Sequence, residues 1–416
     1  MLKASLLFLA AGAAMGENWP RFRGPTGQGL STETGLPIEW NEHSNVAWRT
    51  AIPGKGWSSP ILWGDRVFLT TATGEDGSSC HVISVDRRSG AILWDREVFR
   101  QSITMNRRQN SFATSTPVTD GKRVYAVFAS GWVAAVDFDG EVAWTNKEFA
   151  YYSEHGLGAS PVLYKNLLIM QYDGSSRGED KKVGWQKPWD QSFLAAFDTS
   201  TGKVRWKMSR GMSRIGHVTP NILVENGVAQ LVSGAGDVVQ GYDPFTGERI
   251  WTAYSQGEGV VPSIVLGDGL IFTSSGFEKS TIRALRTGGR GDVTKTHIAW
   301  EQTKGVPRIP SFVYVKPYLF TITETGVAMC LKADSGEIVW QERVGGNFWS
   351  SPVVAEGRIY FLNEECETTV IRAAAKFEVL ARNPLPGPCQ ASMAVSGRRF
   401  FLRTATHLYA LGGARP

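Results

Sequence analysis

The chain has 416 residues, of which 42% are hydrophobic and 20% charged, so it is globular and has enough apolar side chains for a large core. Its formal net charge of +5 is spread along the chain without a run of five basic residues, which argues against nucleic-acid binding. The 46 glycines and 15 tryptophans predict an all-β chain with many tight turns and large aromatic anchors.

The first segment has the pattern of a secretory signal peptide, over residues 1–16. Lys3 provides the positive start, residues 6–14 form a short apolar stretch, and Ala14 and Gly16 are the small residues of a cleavage site. No later segment reaches 18 apolar residues, and no cysteine lies near Gly16, so we expect neither a transmembrane segment nor a lipid anchor. The sequence therefore predicts an exported bacterial protein, periplasmic or secreted.

Residues 17–44 show no strand pattern and include the sequence NWPRFRGP at positions 18–25. We expect them to form an N-terminal extension that lies across one face of the domain at residues 45–416.

From residue 45 onward a unit of four strand-like segments recurs with a period of roughly 40–60 residues, the size of a propeller blade. Most units begin with a small or hydroxyl residue and proline, pass through an Asp-x-x-Thr/Ser-Gly turn and end on a strand with tryptophan. The openings are at Pro60, Pro117, Pro161, Pro220, Pro262, Pro310 and Pro352, with one lacking proline at 391–395. The closing tryptophans are Trp94, Trp144, Trp206, Trp251, Trp300 and Trp340. We expect each tryptophan to cover the gap between adjacent blades and the turn glycine to adopt positive φ.

The two ends of the repeat array complement each other. The eighth unit stops at residues 408–411 without a fourth strand, whereas residues 46–49 have the fourth-strand pattern and no unit before them. Joining the two ends removes exposed sheet edges. The sequence thus predicts an all-β fold: a single, monomeric eight-bladed β-propeller of four-stranded antiparallel blades, closed by an N-terminal strand that completes the last blade.

Two insertions interrupt the repeat, at residues 173–191 in the third blade and 288–296 in the fifth. Each is compatible with a functional loop or with a packed one. Cys366 and Cys389 form a conceivable disulfide pair, and buried or free thiols remain the alternative.

The units resemble the pyrroloquinoline-quinone (PQQ)-like propeller repeat, whose hallmark Ala-x-Asp-x-x-Thr-Gly-x-x-x-Trp stands here at residues 196–206. The resemblance spans about residues 45–411. Residues 18–25 look like the leader of exported bacterial propellers commonly described by similarity to the outer-membrane assembly factor BamB. The resemblance implies one of two functional classes. Quinoprotein dehydrogenases hold PQQ and calcium in the propeller axis, whereas BamB-like members have no cofactor and act as interaction scaffolds.

The residues favour the scaffold class. The sequence has neither the adjacent cysteine pair of many quinoprotein dehydrogenases nor a Cys-x-x-Cys-His haem site, and it shows no acidic cluster suited to calcium. Residues 174–178 match Gly-x-Ser-x-Gly, but no helix pattern follows, as a nucleophile elbow requires. We predict no catalytic residue, no metal ligand and no cofactor. A PQQ-dependent dehydrogenase that uses the central channel, with PQQ and calcium, is the alternative.

The predicted binding site follows from propeller geometry, because the first strand of each blade lines the channel and residues before the repeated proline converge at one mouth. The candidate residues are Trp57, His217 and Trp349, three positions before a proline, and the nearby Asn110, His155 and Arg308. Hydroxyls directly precede the proline at Ser59, Thr116, Ser160, Thr219 and Ser351. Aromatic faces with hydrogen-bonding groups suit a small polar ligand or a peptide segment of a protein partner. Alternatively, these side chains plug the axis. An exposed pair of Trp57 and Trp349 would favour a third class of ligand, carbohydrate.

Overall fold

The computed structural model describes residues 16–74, 77–103, 110–257 and 259–413, and the regular secondary structure within them consists of β-strands. The predicted signal peptide lies outside the described residues except for Gly16. No helix in the described ranges is long and apolar enough to cross a membrane.

The strands form eight sheets, each with four antiparallel strands ordered from the centre of the ring outward, and the sheet of blade 4 carries one further, parallel strand at its outer edge. Blades 1 and 2 comprise β2 (Ile61–Trp63), β3 (Arg66–Thr73), β4 (Ser79–Asp86), β5 (Ile92–Arg100), β6 (Val118–Thr119), β7 (Arg123–Val127), β8 (Val133–Asp137) and β9 (Val142–Asn146). Blades 3 and 4 comprise β10 (Val162–Tyr164), β11 (Leu167–Tyr172), β12 (Phe193–Asp198), β13 (Val204–Ser209), β14 (Asn221–Glu225), β15 (Val228–Gly234), β16 (Val238–Tyr242) and β17 (Arg249–Tyr254). Blades 5 and 6 comprise β18 (Val265–Gly267), β19 (Leu270–Ser275), β20 (Thr281–Arg286), β22 (Ile298–Gln302), β23 (Val313–Val315), β24 (Tyr318–Ile322), β25 (Val327–Lys332) and β26 (Ile338–Arg343). Blades 7 and 8 comprise β27 (Val353–Ala355), β28 (Arg358–Leu362), β29 (Glu367–Arg372), β30 (Val379–Pro384), β31 (Ala394–Ser396), β32 (Arg399–Arg403), β33 (His407–Leu411) and β1 (Val46–Ala51).

The ring closes as predicted. Strand β1 pairs in antiparallel register with β33, so that Ala51 lies opposite His407 and Val46 opposite Leu411. The eighth blade is therefore completed by the N-terminal strand, and the predicted eight-bladed propeller is confirmed.

The core lies between the blades. Successive residues of a strand point to opposite faces of its sheet, so Phe68 and Val82 of blade 1 pack towards blade 2, whereas Val67 and Ile83 pack towards blade 8. Each blade thus buries both faces against its neighbours, and this explains why its inner strands are nearly continuous apolar runs.

Tryptophan and the turn glycine form the recurring contact between blades. Asp198 accepts hydrogen bonds from the backbone N–H of Ser200 and Thr201, and Gly202 then has φ of 72°. The ring of Trp144, from the preceding blade, packs so closely on Gly202 that a Cβ there would lie 2.4 Å from it, and its Nε1 donates to the Thr199 carbonyl at 2.9 Å. The same packing recurs at Trp48–Gly90, Trp94–Gly140, Trp206–Gly247 and Trp300–Gly336. The predicted roles of both residue types are confirmed.

Blade 4 departs from this pattern because the insertion at 288–296 replaces the short turn of blade 5. Strand β21 (Gly291–Asp292) within the insertion pairs in parallel with Trp251 and Thr252 of β17. Trp251 consequently donates to the side-chain oxygen of Gln230 instead of a turn carbonyl. The insertion therefore covers part of the outer edge of blade 4.

The first strands of the blades stand side by side around the central channel, as shown by the contacts of β2 with both β6 and β31. The N-terminal extension runs along these inner strands. Its hydrogen-bonding partners lie in seven blades: Leu62, Thr119, Pro220, Asn221, Leu266, Phe312, Val354 and Gly397. It thus crosses the end of the channel where the first strands finish.

Cys366 and Cys389 form a disulfide, which decides between the pairing and the free thiols that the sequence left open. Both residues are buried, and the bond joins a turn of blade 7 to the segment that begins blade 8. Cys80 and Cys330 are buried free thiols.

Candidate functional site

A belt of eight hydroxyl residues surrounds the channel. Seven backbone N–H groups of the belt each donate to the hydroxyl oxygen of the next blade, at 2.8–3.1 Å. The members are Ser59, Thr116, Ser160, Thr219, Ser263, Ser311, Ser351 and Ser392. Each bond ties one blade to the next, so the belt positions the side chains around the axis.

In two blades the belt hydroxyl occupies a different position relative to the proline from the one that the sequence pattern suggested. In blades 5 and 6 the belt hydroxyls Ser263 and Ser311 follow the proline, whereas in blades 1 to 4 and 7 the hydroxyl precedes it. Blade 8 has Ser392 without a proline. The hydroxyl, because it makes the inter-blade bond, is the structurally equivalent position.

A second ring lies two residues before the belt. Its members all line one central cavity: Trp57, Thr114, Gly158, His217, Val261, Ile309, Trp349 and Gln390. The cavity has a volume of about 280 Å³ and is also lined by Asn110, His155, Trp185 and Phe277. Phe22 of the N-terminal extension forms its floor. The channel is therefore a well, which we call the central well, open at the mouth and closed by the extension.

Five of the six predicted site residues line the central well: Trp57, Asn110, His155, His217 and Trp349. Arg308 does not. Its guanidinium pairs with Glu324 and lies 4.8 Å over the ring of Phe277, which itself lines the well. Arg308 therefore packs behind a wall of the well, on Phe277. Its charge is neutralised by the carboxylate of Glu324.

The indoles of Trp57 and Trp349 are half-buried and face the well. They belong to blades 1 and 7, with Gln390 of blade 8 between them, so an aromatic–amide–aromatic arc occupies one side of the mouth. Gln390 follows Cys389 directly, and the disulfide anchors this part of the arc.

The opposite side carries two histidines. His217 is buried, burial together with the nearby His155 lowers its pKa to about 3, and its Nδ1 has no hydrogen-bonding partner among the described residues. Burial also lowers the pKa of His155, whose ring meets Trp185 edge-on with centroids 5.1 Å apart. The carbonyl of His155 accepts a hydrogen bond from the Asn110 amide at 2.6 Å. Both imidazoles are thus neutral hydrogen-bonding groups at neutral pH.

Several lining residues were not predicted. Trp185 comes from the insertion at 173–191, which shows that this insertion reaches the mouth of the well. Val261, Ile309 and Gln390 would have been found by counting back from the belt hydroxyls instead of from the prolines, and Thr114 lies three positions before Pro117. Phe22 and Phe277 carry no repeat signal that sequence reasoning could use.

The described lining residues include no Asp, Glu, Lys or Arg. Nor does the described part of the chain contain a group of three or more His, Cys, Asp and Glu side chains able to hold a metal ion. PQQ is a multiply carboxylated quinone, and calcium prefers several carboxylate or carbonyl oxygens. The donor set of the central well therefore does not fit PQQ with calcium.

A Ser–His–Asp arrangement occurs away from the well, on blade 1. The hydroxyl of Ser79 lies 2.8 Å from Nε2 of His81, whose Nδ1 lies 2.7 Å from the carboxylate of Asp95. However, Ser79 is buried and its hydroxyl also donates to Glu97. A nucleophilic serine must be accessible and must give its proton to the histidine, so this set is a structural network between β4 and β5.

The fold and the repeat define the chain as a PQQ-like β-propeller. A model of the family described as outer membrane protein assembly factor BamB matches residues 28–147, 189–290 and 278–411. The chain therefore belongs to this family.

Individual proteins are similar to this chain in sequence or in structure. BamB of Escherichia coli (strain K12) is 30% identical over 139 residues, which are 33% of this chain and 28% of that protein. The structure of BamB from Moraxella catarrhalis is 12% identical, with a TM-score of 0.62 over 89% of this chain and 98% of that one. A europium-containing methanol dehydrogenase is 10% identical, with a TM-score of 0.68 over 95% of this chain and 98% of that one. At these identities the solved structures share the fold, and the fold hosts both functional classes.

Proposed function

We propose that the protein is an exported, non-catalytic binding scaffold that holds its ligand, a protein segment or small molecule, in the central well. The observation that carries the proposal is the well itself. Five aromatic rings and a belt of hydroxyls converge on a cavity that has one open end. Binding sites typically combine a mostly apolar concave surface with a few placed polar groups.

The chemistry of the lining supports binding over catalysis. General acid–base catalysis needs a group that exchanges a proton near the working pH. His217 is held neutral far from that range, and the described lining contributes no carboxylate. The groups present can orient a ligand but supply no nucleophile activated by a base.

The competing dehydrogenase function is tested by mixing the purified protein with PQQ and calcium. Quinone absorbance after gel filtration would report binding, and the reduction of an artificial electron acceptor with simple alcohols would report turnover. We expect neither stoichiometric PQQ nor alcohol-dependent dye reduction. Stoichiometric PQQ with turnover would overturn the scaffold proposal.

The position of the ligand is tested by native mass spectrometry of the protein isolated from a bacterial envelope fraction. We expect an additional bound mass in the unaltered protein and its loss in the double variant Trp57→Ala/Trp349→Ala. The matched control is Trp132→Ala, which removes a half-buried tryptophan that packs on Phe99 outside the well. Equal retention of the bound mass by the double variant would place the ligand elsewhere.

A further inference from the structure

The belt hydroxyls keep hydrogen-bond donors and acceptors that are not used in contacts within the fold. Each belt oxygen that accepts only a backbone N–H retains one lone pair and its own proton. Among the described belt residues, only Ser351 directs its proton to a belt neighbour, the hydroxyl of Ser311 at 2.9 Å. The remaining hydroxyls line the well as groups that both donate and accept hydrogen bonds.

In the same belt, backbone N–H groups that an extended peptide would need are already hydrogen-bonded within the protein. A peptide that binds by adding a strand requires free N–H and C=O groups along an edge. Seven belt N–H groups are already bonded to side-chain oxygens of the next blade. The well therefore offers side-chain groups and aromatic faces, with little backbone to pair.

Aromatic faces complete the pattern. Trp57 and Trp349 expose part of each indole to the well, and Gln390 lies on the blade between them. Opposite them is the buried His217, whose imidazole lines the well. The ligand that matches this lining has an apolar face for an indole, several hydroxyls at its edges and no net charge.

We propose that the central well binds an uncharged saccharide of one or two pyranose rings, with an apolar sugar face packed on Trp57 or Trp349 and its hydroxyls bonded to the belt, Gln390 and His217. This inference rests on the proposed function, since it specifies the ligand of the same well. The cavity volume of about 280 Å³ suits a ligand of this size. A charged sugar would have to leave water for a lining that provides no described counter-charge.

The test is isothermal titration of the full protein with maltose, cellobiose and N,N′-diacetylchitobiose, and with digalacturonate as the charged counterpart. We expect at least one neutral disaccharide to saturate the protein with a Kd of about 1 mM or tighter, and digalacturonate to bind at least about tenfold more weakly. Trp57→Ala and Trp349→Ala should each weaken binding by about tenfold or more, whereas Trp132→Ala should leave it within about twofold.

Gln390→Leu provides a second variant of similar side-chain size, which removes the amide together with its 3.4 Å hydrogen bond to the carboxylate of Glu364. We expect a loss of affinity in this variant too, with an unchanged melting temperature. The inference is overturned if no neutral saccharide saturates the protein, or if the Trp57, Trp349 and Gln390 variants bind as the unaltered protein does. If sugars fail while the envelope-derived mass still depends on Trp57 and Trp349, only the saccharide inference is lost. Turnover with PQQ would instead remove the proposed function.

Discussion

At the scale of single residues, His217 shows how burial sets chemistry in the central well. Its neighbours in the described part of the chain supply no counter-charge, and Gly158 packs so close that a Cβ there would lie 3.0 Å from the His217 side chain. The imidazole remains neutral because protonation would bury an unpaired charge. The same side chain placed at an exposed position would titrate near neutrality.

This environment predicts a pH-dependent stability. The pKa of His217 is about 3 in the folded protein against an ordinary value of 6.5, so below pH 6.5 the unfolded chain takes up a proton that the folded chain does not. The free energy of unfolding therefore falls as the pH drops, and at pH 5 the loss amounts to about 2 kcal/mol. His217→Gln should remove this part of the dependence, as measured by urea unfolding at pH 7.5 and pH 5. His43→Gln, at an exposed position, is the control. Identical pH profiles for His217→Gln and the unaltered protein would contradict the assignment.

At the scale of elements, neighbouring blades are coupled by an outer and an inner device, of which the outer joins five pairs of blades and the inner seven. The outer device is the tryptophan of the fourth strand on the turn glycine of the following blade, as in Trp144 on Gly202. The inner device is the N–H of one belt residue bonded to the hydroxyl of the next. Because both recur around the ring, the spacing of the blades is controlled at the channel and at the periphery.

The outer coupling is tested by adding a methyl group to the turn. Gly202→Ala has to accommodate both a positive φ of 72° and a Cβ 2.4 Å from the Trp144 ring. Gly227→Ala has a similar φ of 79° but meets nothing within 4 Å, and is therefore the matched control. The backbone effect should cost about 1–2 kcal/mol in both variants, and displacement of Trp144 about 1–3 kcal/mol more in Gly202→Ala. Urea unfolding measures the difference, and equal losses would mean that the tryptophan does not depend on the glycine.

At the scale of the whole molecule, the two ends of the chain hold the ring together. Strand β1 completes the last blade, and Arg403 of β32 reaches into blade 1, where its buried guanidinium donates to the carbonyls of Ser58 and Thr70. The N-terminal extension then crosses the channel and places Phe22 as the floor of the well. The well therefore depends on ring closure and on the extension together.

Closure is tested by a disulfide across the first and last strands. Ala51 lies directly opposite His407, within the spacing of paired antiparallel strands, so Ala51→Cys/His407→Cys should cross-link on mild oxidation. The bond should raise the free energy of unfolding by about 2–4 kcal/mol relative to the reduced protein. In the mismatched control Arg49→Cys/His407→Cys, the pairing register places the two positions diagonally, because Arg49 lies opposite Tyr409. Mass spectrometry and thermal melting report the outcome. Equal cross-linking of the two pairs would contradict the register.

Much of the architecture was determined by the sequence alone, because it is encoded in local signals that repeat. The Asp-x-x-Thr/Ser-Gly turns and the closing tryptophans predicted the blades, and the unpaired strand pattern at residues 46–49 predicted the closure. Trp57, His217 and Trp349 also followed from the repeat, since they occupy the same position before the first strand of their blades and all three line the channel.

Only the tertiary structure decided what lies between repeats or outside them. Phe22 and Trp185 reach the well from non-repeating segments, whose positions depend on packing across the ring and not on local periodicity. Arg308 does not line the well, since its guanidinium pairs with Glu324, sixteen residues later, and packs on the ring of Phe277. The equivalence of Ser263 and Ser311 with the other belt hydroxyls became visible through the bonds between blades, since a proline has no N–H with which to form such a bond.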